Sequence, residues 1–213
     1  MVNSATQSLS LQGLAGRIQV LRDDPATPAK GIALIAHPHP LFGGTMDNKV
    51  VQTLARSAVA SGWQAWRFNF RGVGQSEGVH DAGVGESEDV LQLLAHIHQS
   101  GQPLVLAGFS FGAFVICRAL QALGERARDV SHLVLVGTAT ARFQVPPVPA
   151  DLASKALVIH GEQDDTVPLL AVLDWARPQH LPVTVVPGVE HFFHGQLPLL
   201  KSLVTRHLSV QGV

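Results

Sequence analysis

Short runs of apolar, largely β-branched residues recur along the chain and alternate with longer stretches whose apolar positions follow a helical period. Six runs stand out: Gly31–His37, Trp63–Phe70, Pro103–Phe109, His132–Gly137, Ala156–His160 and Val183–Pro187. Near-continuous apolar strands belong in a sheet that is covered on both faces. Their alternation with helices makes that sheet mostly parallel. Upstream, Ser8–Gln12 and Arg17–Arg22 alternate in polarity around Gly13-Leu14-Ala15-Gly16 and predict an antiparallel hairpin on the sheet edge. Helical spacing covers Met46–Gly62, Gly85–Ser100, Phe111–Leu123, Leu169–Ala176 and Leu197–His207, and Asp151–Lys155 adds a short turn. The pattern predicts an α/β fold with eight strands and about five helices, in one domain over residues 1–213.

Composition narrows the function classes. Hydrophobic residues make up 46% of the chain and charged residues 15%, enough to build a core and too apolar for a disordered chain. The formal net charge of -1 implies no basic face, so neither nucleic acid nor an anionic membrane is expected as a partner. Cys117 is the single cysteine, which excludes an intrachain disulfide and suits a reducing compartment. The first residues, MVNSATQSLSLQGLAG, lack the basic and apolar regions of a secretion signal, and no apolar run reaches membrane-spanning length. A cytoplasmic protein, monomeric or weakly dimeric, is expected.

The chemistry-bearing motif is Gly108-Phe109-Ser110-Phe111-Gly112, a G-x-S-x-G pattern. A buried-strand pattern precedes it and an apolar helix pattern follows. A serine exposed on a sharp strand-to-helix turn sits in a strained conformation, and its neighbours two positions away must lack bulk. The helix N-terminus then offers free amides and a positive dipole end to a developing oxyanion. Inside that helix, Cys117 reads as a small buried hydrophobe rather than a reactive thiol.

A serine nucleophile needs a base, and the base needs an acid that fixes its tautomer. Two later loops can supply them, both leaving strand ends. After Ala156–His160 comes Gly161-Glu162-Gln163-Asp164-Asp165-Thr166-Val167-Pro168, with two adjacent carboxylates of which only one can face inward. After Val183–Pro187 comes Gly188-Val189-Glu190-His191-Phe192-Phe193-His194, where His191 competes with His194 among the 11 histidines of the chain. The chain order Ser, Asp, His is that of one known triad arrangement.

Together these segments resemble the α/β-hydrolase superfamily, especially its small, lidless members similar to dienelactone hydrolase. The resemblance runs from the strand at Gly31 to the C-terminal helix. Its acid loop, G-x-x-D-x-x-V-P, selects Asp164 over Asp165, and its base loop, G-x-x-H-F-F, selects His191 over His194. Asn69-Phe70-Arg71-Gly72-Val73-Gly74-Gln75-Ser76 is similar to the superfamily's structural D-x-R-G-x-G-x-S turn, with Asn69 in place of the usual Asp. His37-Pro38-His39-Pro40-Leu41-Phe42-Gly43-Gly44 stands where many relatives carry an H-G-x oxyanion loop. Carried over by position, the oxyanion donors are the N–H groups of Phe111 and His39. Pro40 has no N–H, so a shifted loop would make Leu41 the donor. The stretch HPHPLFGGTMDNK is closer still to predicted hydrolases whose substrates are unassigned.

The resemblance implies a serine hydrolase that cleaves a small ester, or else a thioester, without cofactor or metal. Two rivals belong to other classes. His37-x-His39 could hold a metal with Asp164 or His191, although no third ligand has a recognised spacing. The same fold could also serve as a non-catalytic ligand-binding protein. Finally, the 18 residues Thr138–Lys155, with three prolines, are too few to form a cap. A shallow, open cleft is therefore expected, bordered by that segment, His39–Phe42 (including Leu41 and Phe42) and Phe192–Phe193.

Overall fold

In a computed structural model, residues 6–210 are described. Their strands are β1 (Gln7–Gly13), β2 (Gly16–Asp23), β3 (Ile32–Ala36), β4 (Gln64–Phe68), β5 (Leu104–Phe109), β6 (Val130–Val136), β7 (Ala156–Gly161) and β8 (Val183–Val186). Their α-helices are α1 (Lys49–Ala60), α2 (Val84–Ile97), α3 (Phe111–Ala122), α4 (Leu169–Ala176) and α5 (Leu197–Ser209). All eight strands join one sheet in the order β1-β2-β4-β3-β5-β6-β7-β8. The hairpin β1–β2 and the β2–β4 pairing are antiparallel, and from β4 to β8 every pairing is parallel.

The apolar runs bury both faces of this sheet. In β5, Leu104 and Leu106 join the cluster under α2, α3 and α4, while Val105, Ala107 and Phe109 join the cluster under α1 and α5. The period of two in strand side chains divides one continuous apolar run between two cores. A six-residue stretch with every position buried can therefore only be a central strand.

The strand order positions the site. From β3 the chain crosses by α1 to β4, then returns past β3 to β5 and continues the other way through α3 to β6. The loops after β3 and β5 leave in opposite directions from adjacent strand ends, which opens a crevice at their C-terminal edge. Ser110 and the His37–Gly44 segment both lie at that edge.

The turn after β4 is held from beneath by polar contacts. Arg71 makes a two-pronged ion pair with Asp89 of α2, Nε to Oδ2 and Nη2 to Oδ1, both 2.8 Å. Asn69, where the superfamily pattern has Asp, uses both ends of its amide. Its Oδ1 accepts the Met46 N–H at 2.9 Å and its Nδ2 donates to Gln19 Oε1 at 2.8 Å. A carboxylate could not make the second bond. Both Arg71 and Asp89 are buried, so removing one leaves the other's charge without a partner. Asp89→Ala is expected to cost about 3–5 kcal/mol. The double variant Arg71→Met with Asp89→Leu should recover much of that loss, as read by urea unfolding. A single variant as stable as the wild type would mean that the pair carries no structural weight.

Candidate active site

Ser110 occupies the one-residue joint between β5 and α3, with φ 56° and ψ −115°. An L-residue there stores strain of about 1–3 kcal/mol that the surroundings must hold in place. Three backbone bonds do so: the Ser110 N–H donates to the Val136 carbonyl at 2.8 Å, and the Ser110 carbonyl accepts from Ala113 and Phe114. The flanking glycines are required by space. A β-carbon on Gly112 would sit 2.4 Å from the Ala36 carbonyl oxygen, and one on Gly108 would sit 2.5 Å from the Ala113 nitrogen.

Two further loops bring their side chains to this joint. His191 follows β8 and is 2% exposed, with its ring against those of Phe109 and Phe192 at 4.9 and 5.1 Å. Its loop is pinned by Glu190, whose carboxylate oxygens accept the N–H groups of Phe192 and His194. These bonds hold the Glu190 carboxyl below its ordinary range against the opposing effect of burial. Asp164 follows β7, and its Oδ1 accepts the N–H groups of Thr166 at 3.0 Å and Val167 at 2.7 Å.

The three side chains form one hydrogen-bonded line. Asp164 Oδ2 lies 2.6 Å from His191 Nδ1, and His191 Nε2 lies 3.0 Å from Ser110 Oγ. An ionised carboxylate only accepts, so Nδ1 carries the proton and Nε2 is free to accept from the serine hydroxyl. The competing residues are elsewhere. Asp165 is exposed, and His194 is exposed and paired with Glu190.

The chain and its fold are similar to those of known proteins. The profile of the family described as serine aminopeptidase, S33, matches residues 28–163, from before β3 to the residue preceding Asp164. The chain belongs to this family, within the α/β-hydrolase superfamily. A serine hydrolase without a lid from Xanthomonas campestris is 33% identical, with a TM-score of 0.84 over 98% of this chain and 95% of that one. A serine hydrolase homologue from Coxiella burnetii is 38% identical, with a TM-score of 0.78 over 95% and 97%. An uncharacterised protein of Rickettsia prowazekii is 32% identical over 85% of this chain and 79% of its own length.

As a hydrolase of this fold, the chain has its cleft where Ser110, His191 and the helix N-terminus meet. The cavity measures about 320 Å³, and its lining includes His39, Phe42, Phe111, Phe143 and Phe192. His39 and Phe111 are among its lining residues, and their N–H groups donate to no acceptor among the described residues. Leu41 does not take their place. Its N–H is spent on His39 Nδ1 at 3.2 Å, and its side chain is 69% exposed and lies outside the cavity wall. Successive side chains of a 3₁₀ turn fan out by a third of a revolution. In Pro40–Phe42 only Phe42 of the pair Leu41–Phe42 therefore faces the cleft. Phe193 also departs from expectation: it is 1% exposed, at φ 56°, and packs in the core under α5 rather than at the cleft border.

The histidine pair after β3 is not arranged to ligate a metal. His37 Nδ1–H donates to the Pro38 carbonyl at 2.6 Å, and its Nε2 accepts the Phe70 N–H at 3.0 Å, so neither nitrogen has a lone pair left. Burial pushes its pKa down to about 4 and keeps it neutral. His160, at the end of β7, is a residue that sequence reasoning missed. Its Nε2–H donates to the Val167 carbonyl at 2.8 Å and lies 3.5 Å from Asp164 Oδ2, with its pKa lowered by burial. The available signal was its position four residues before Asp164, at the end of an apolar run. Cys117 is fully buried and its thiol is pushed up to about 12, an inert core group.

Because only Asp164 reaches the imidazole, the His191 Nδ1–H should give a far-downfield proton resonance in NMR spectra. Asp164→Asn is expected to abolish that signal and Asp165→Asn to keep it. The reverse order would show that the acid loop sits one residue out of register.

Proposed function

We propose that this hydrolase cleaves small carboxylic esters, or thioesters, through an acyl-enzyme on Ser110. The carrying observation is the line Asp164–His191–Ser110, at 2.6 and 3.0 Å, ending in a cavity with two unspent backbone donors. His191 Nε2 takes the Ser110 hydroxyl proton as Oγ bonds to the substrate carbonyl carbon. The negative charge that develops on the carbonyl oxygen meets the N–H groups of Phe111 and His39, at the positive end of α3. His191 then returns the proton to the leaving alkoxide or thiolate as the carbon–heteroatom bond breaks. Water attacks the acyl-enzyme by the same route, releasing the acid and restoring Ser110. Asp164 keeps its charge throughout and stabilises the imidazolium.

Ser110→Ala should lower ester turnover by at least about a thousandfold while leaving the melting temperature near that of the wild type. A fluorophosphonate should form its adduct on the Ser110 peptide, as read by mass spectrometry. An adduct elsewhere, or none, would turn the reading toward a ligand-binding protein on this fold.

The width of the mouth bears on chain length. Phe42 is 73% exposed and Phe192 is 41% exposed, so the rim stays in contact with water. Each methylene would gain about 0.8 kcal/mol, roughly fourfold in kcat/KM, only if fully buried. Across a series of 4-nitrophenyl esters, kcat/KM should stop rising after the first few carbons, with no jump at the micelle threshold. A continued rise of about tenfold per pair of carbons would require a deep acyl channel.

A further inference from the structure

The cleft holds one charge. Among its lining residues Arg142 alone is permanently ionised, and none is a carboxylate. The ion pairs formed among the described residues use other arginines. The Arg142 guanidinium instead lies 5.5 Å from the centroid of the Phe42 ring. Around it stand aromatic rings tilted against one another. The Phe42 ring is 4.8 Å from that of His39, His39 is 5.9 Å from Phe143, and Phe143 is 5.3 Å from Phe111.

His39 adds a donor to the same corner. Its Nδ1 accepts the Leu41 N–H, which leaves the proton of the neutral ring on Nε2. Burial, and after it the neighbouring His80 and the Arg142 charge, lower its pKa and favour that neutral form. Glu86, whose field also reaches His39, is fully buried outside the lining. Its oxygens accept the N–H groups of Asp81 and Gly83, and its Oε1 lies 2.9 Å from His80 Nδ1. The corner thus presents hydrogen-bond donors and a positive charge within an aromatic wall, and no charged acceptor. A guanidinium fork in such a place matches a carboxylate on a planar body.

We propose that this corner is an anion subsite, and that the natural substrate is a small ester bearing a carboxylate on a flat, apolar body. The carboxylate pairs with Arg142 while the ester carbonyl lies at Ser110. The proposal rests on the reading of Ser110 as the nucleophile of an ester hydrolase. Because Arg142 is exposed, solvent screens the pair, and the expected discrimination is about tenfold rather than a thousandfold.

The test uses 3-acetoxybenzoate and 4-acetoxybenzoate against their methyl esters, pairs that differ in charge and hardly in shape. The quantity read is the ratio of kcat/KM for the acid to that for its methyl ester. Arg142→Gln should lower this ratio about tenfold for at least one isomer, and Arg142→Glu should lower it further. Arg142→Lys should hold an intermediate value. In the wild type the ratio should fall as ionic strength rises. A ratio within about twofold of the wild type in both Arg142→Gln and Arg142→Glu, for both isomers, overturns the subsite. If the neutral esters are still hydrolysed and Ser110 still takes a fluorophosphonate, only the subsite falls. If no ester is turned over and Ser110 takes no adduct, the hydrolase reading falls and the subsite with it.

Discussion

The close approach of α3 to the end of β3 is the constraint on which the site depends. Gly112 faces the carbonyl oxygens of Ala36 and His37 at distances, 2.4 and 2.6 Å from where a β-carbon would be, that no side chain tolerates. This contact seats the first turn of α3 against the strand neighbouring β5. It therefore fixes three things at once: the strained Ser110 joint, the direction of the Phe111 N–H, and its distance from the loop that carries the His39 N–H. The crossover from β3 to β4 sends that loop away from α3, which leaves a crevice between them. A wider seat would separate the donors and slacken Ser110 together, because one contact sets both.

Supporting this geometry are polar side chains that do no chemistry themselves. His37 bridges the Pro38 carbonyl and the Phe70 N–H, which ties the loop after β3 to the turn after β4. His160 holds the Val167 carbonyl, whose own N–H is held by Asp164, so the acid loop is fastened at both ends of one peptide segment. Glu190 does the same for the base loop by accepting two of its amides. Each of these groups is fixed in a defined protonation or tautomeric form by backbone partners. His37, which donates with one nitrogen and accepts with the other, cannot rotate without losing both bonds. This rigidity lets the His191 ring stay aligned with both Asp164 and Ser110.

Much of the fold was legible because buried parallel strands are written as unbroken apolar runs, and each of the six reappears as a strand. Their ends were less so. Trp63–Phe70 reads as one strand, yet pairing stops at Phe68, because Asn69 and Phe70 turn their polar groups to Gln19, Met46 and His37. Similarly, α1 begins at Lys49 and not Met46, since Asn48 Oδ1 caps it through the Val50 N–H. At the site, Ser110 was legible from its strand–turn–helix context, whereas the residues alone left Asp164 beside Asp165 and His191 beside His194, and the resemblance selected between them. His37 and His160 were not legible, since a structural histidine differs from a surface one only in its partners. Here those partners are a peptide N–H thirty-three residues away and a carbonyl in the next loop. That Phe42 lines the cleft and Leu41 does not depended on the pitch of a 3₁₀ turn, which a run of loop residues does not reveal.

The segment after β6 explains why the site is uncapped and what borders it. Thr138–Lys155 lies where a cap would be inserted, but its apolar residues Val145, Val148 and Leu152 are buried in the main core. Its backbone is strapped to the helices beneath: the Val145 carbonyl accepts from Trp175 Nε1, the Pro147 carbonyl from Gln121, and the Val148 N–H donates to Gln179. With Val145, Val148 and Leu152 committed downward, the segment has too few apolar side chains left to build a cap over the cleft. What it carries upward is Arg142 and Phe143, which form part of the cavity wall. Without a cap, substrate burial is limited and hydrophobic area alone discriminates weakly between ligands. A charge at the rim acts over a longer range than contact does, so selectivity in an open cleft of this kind is better drawn from charge and aromatic surface than from depth.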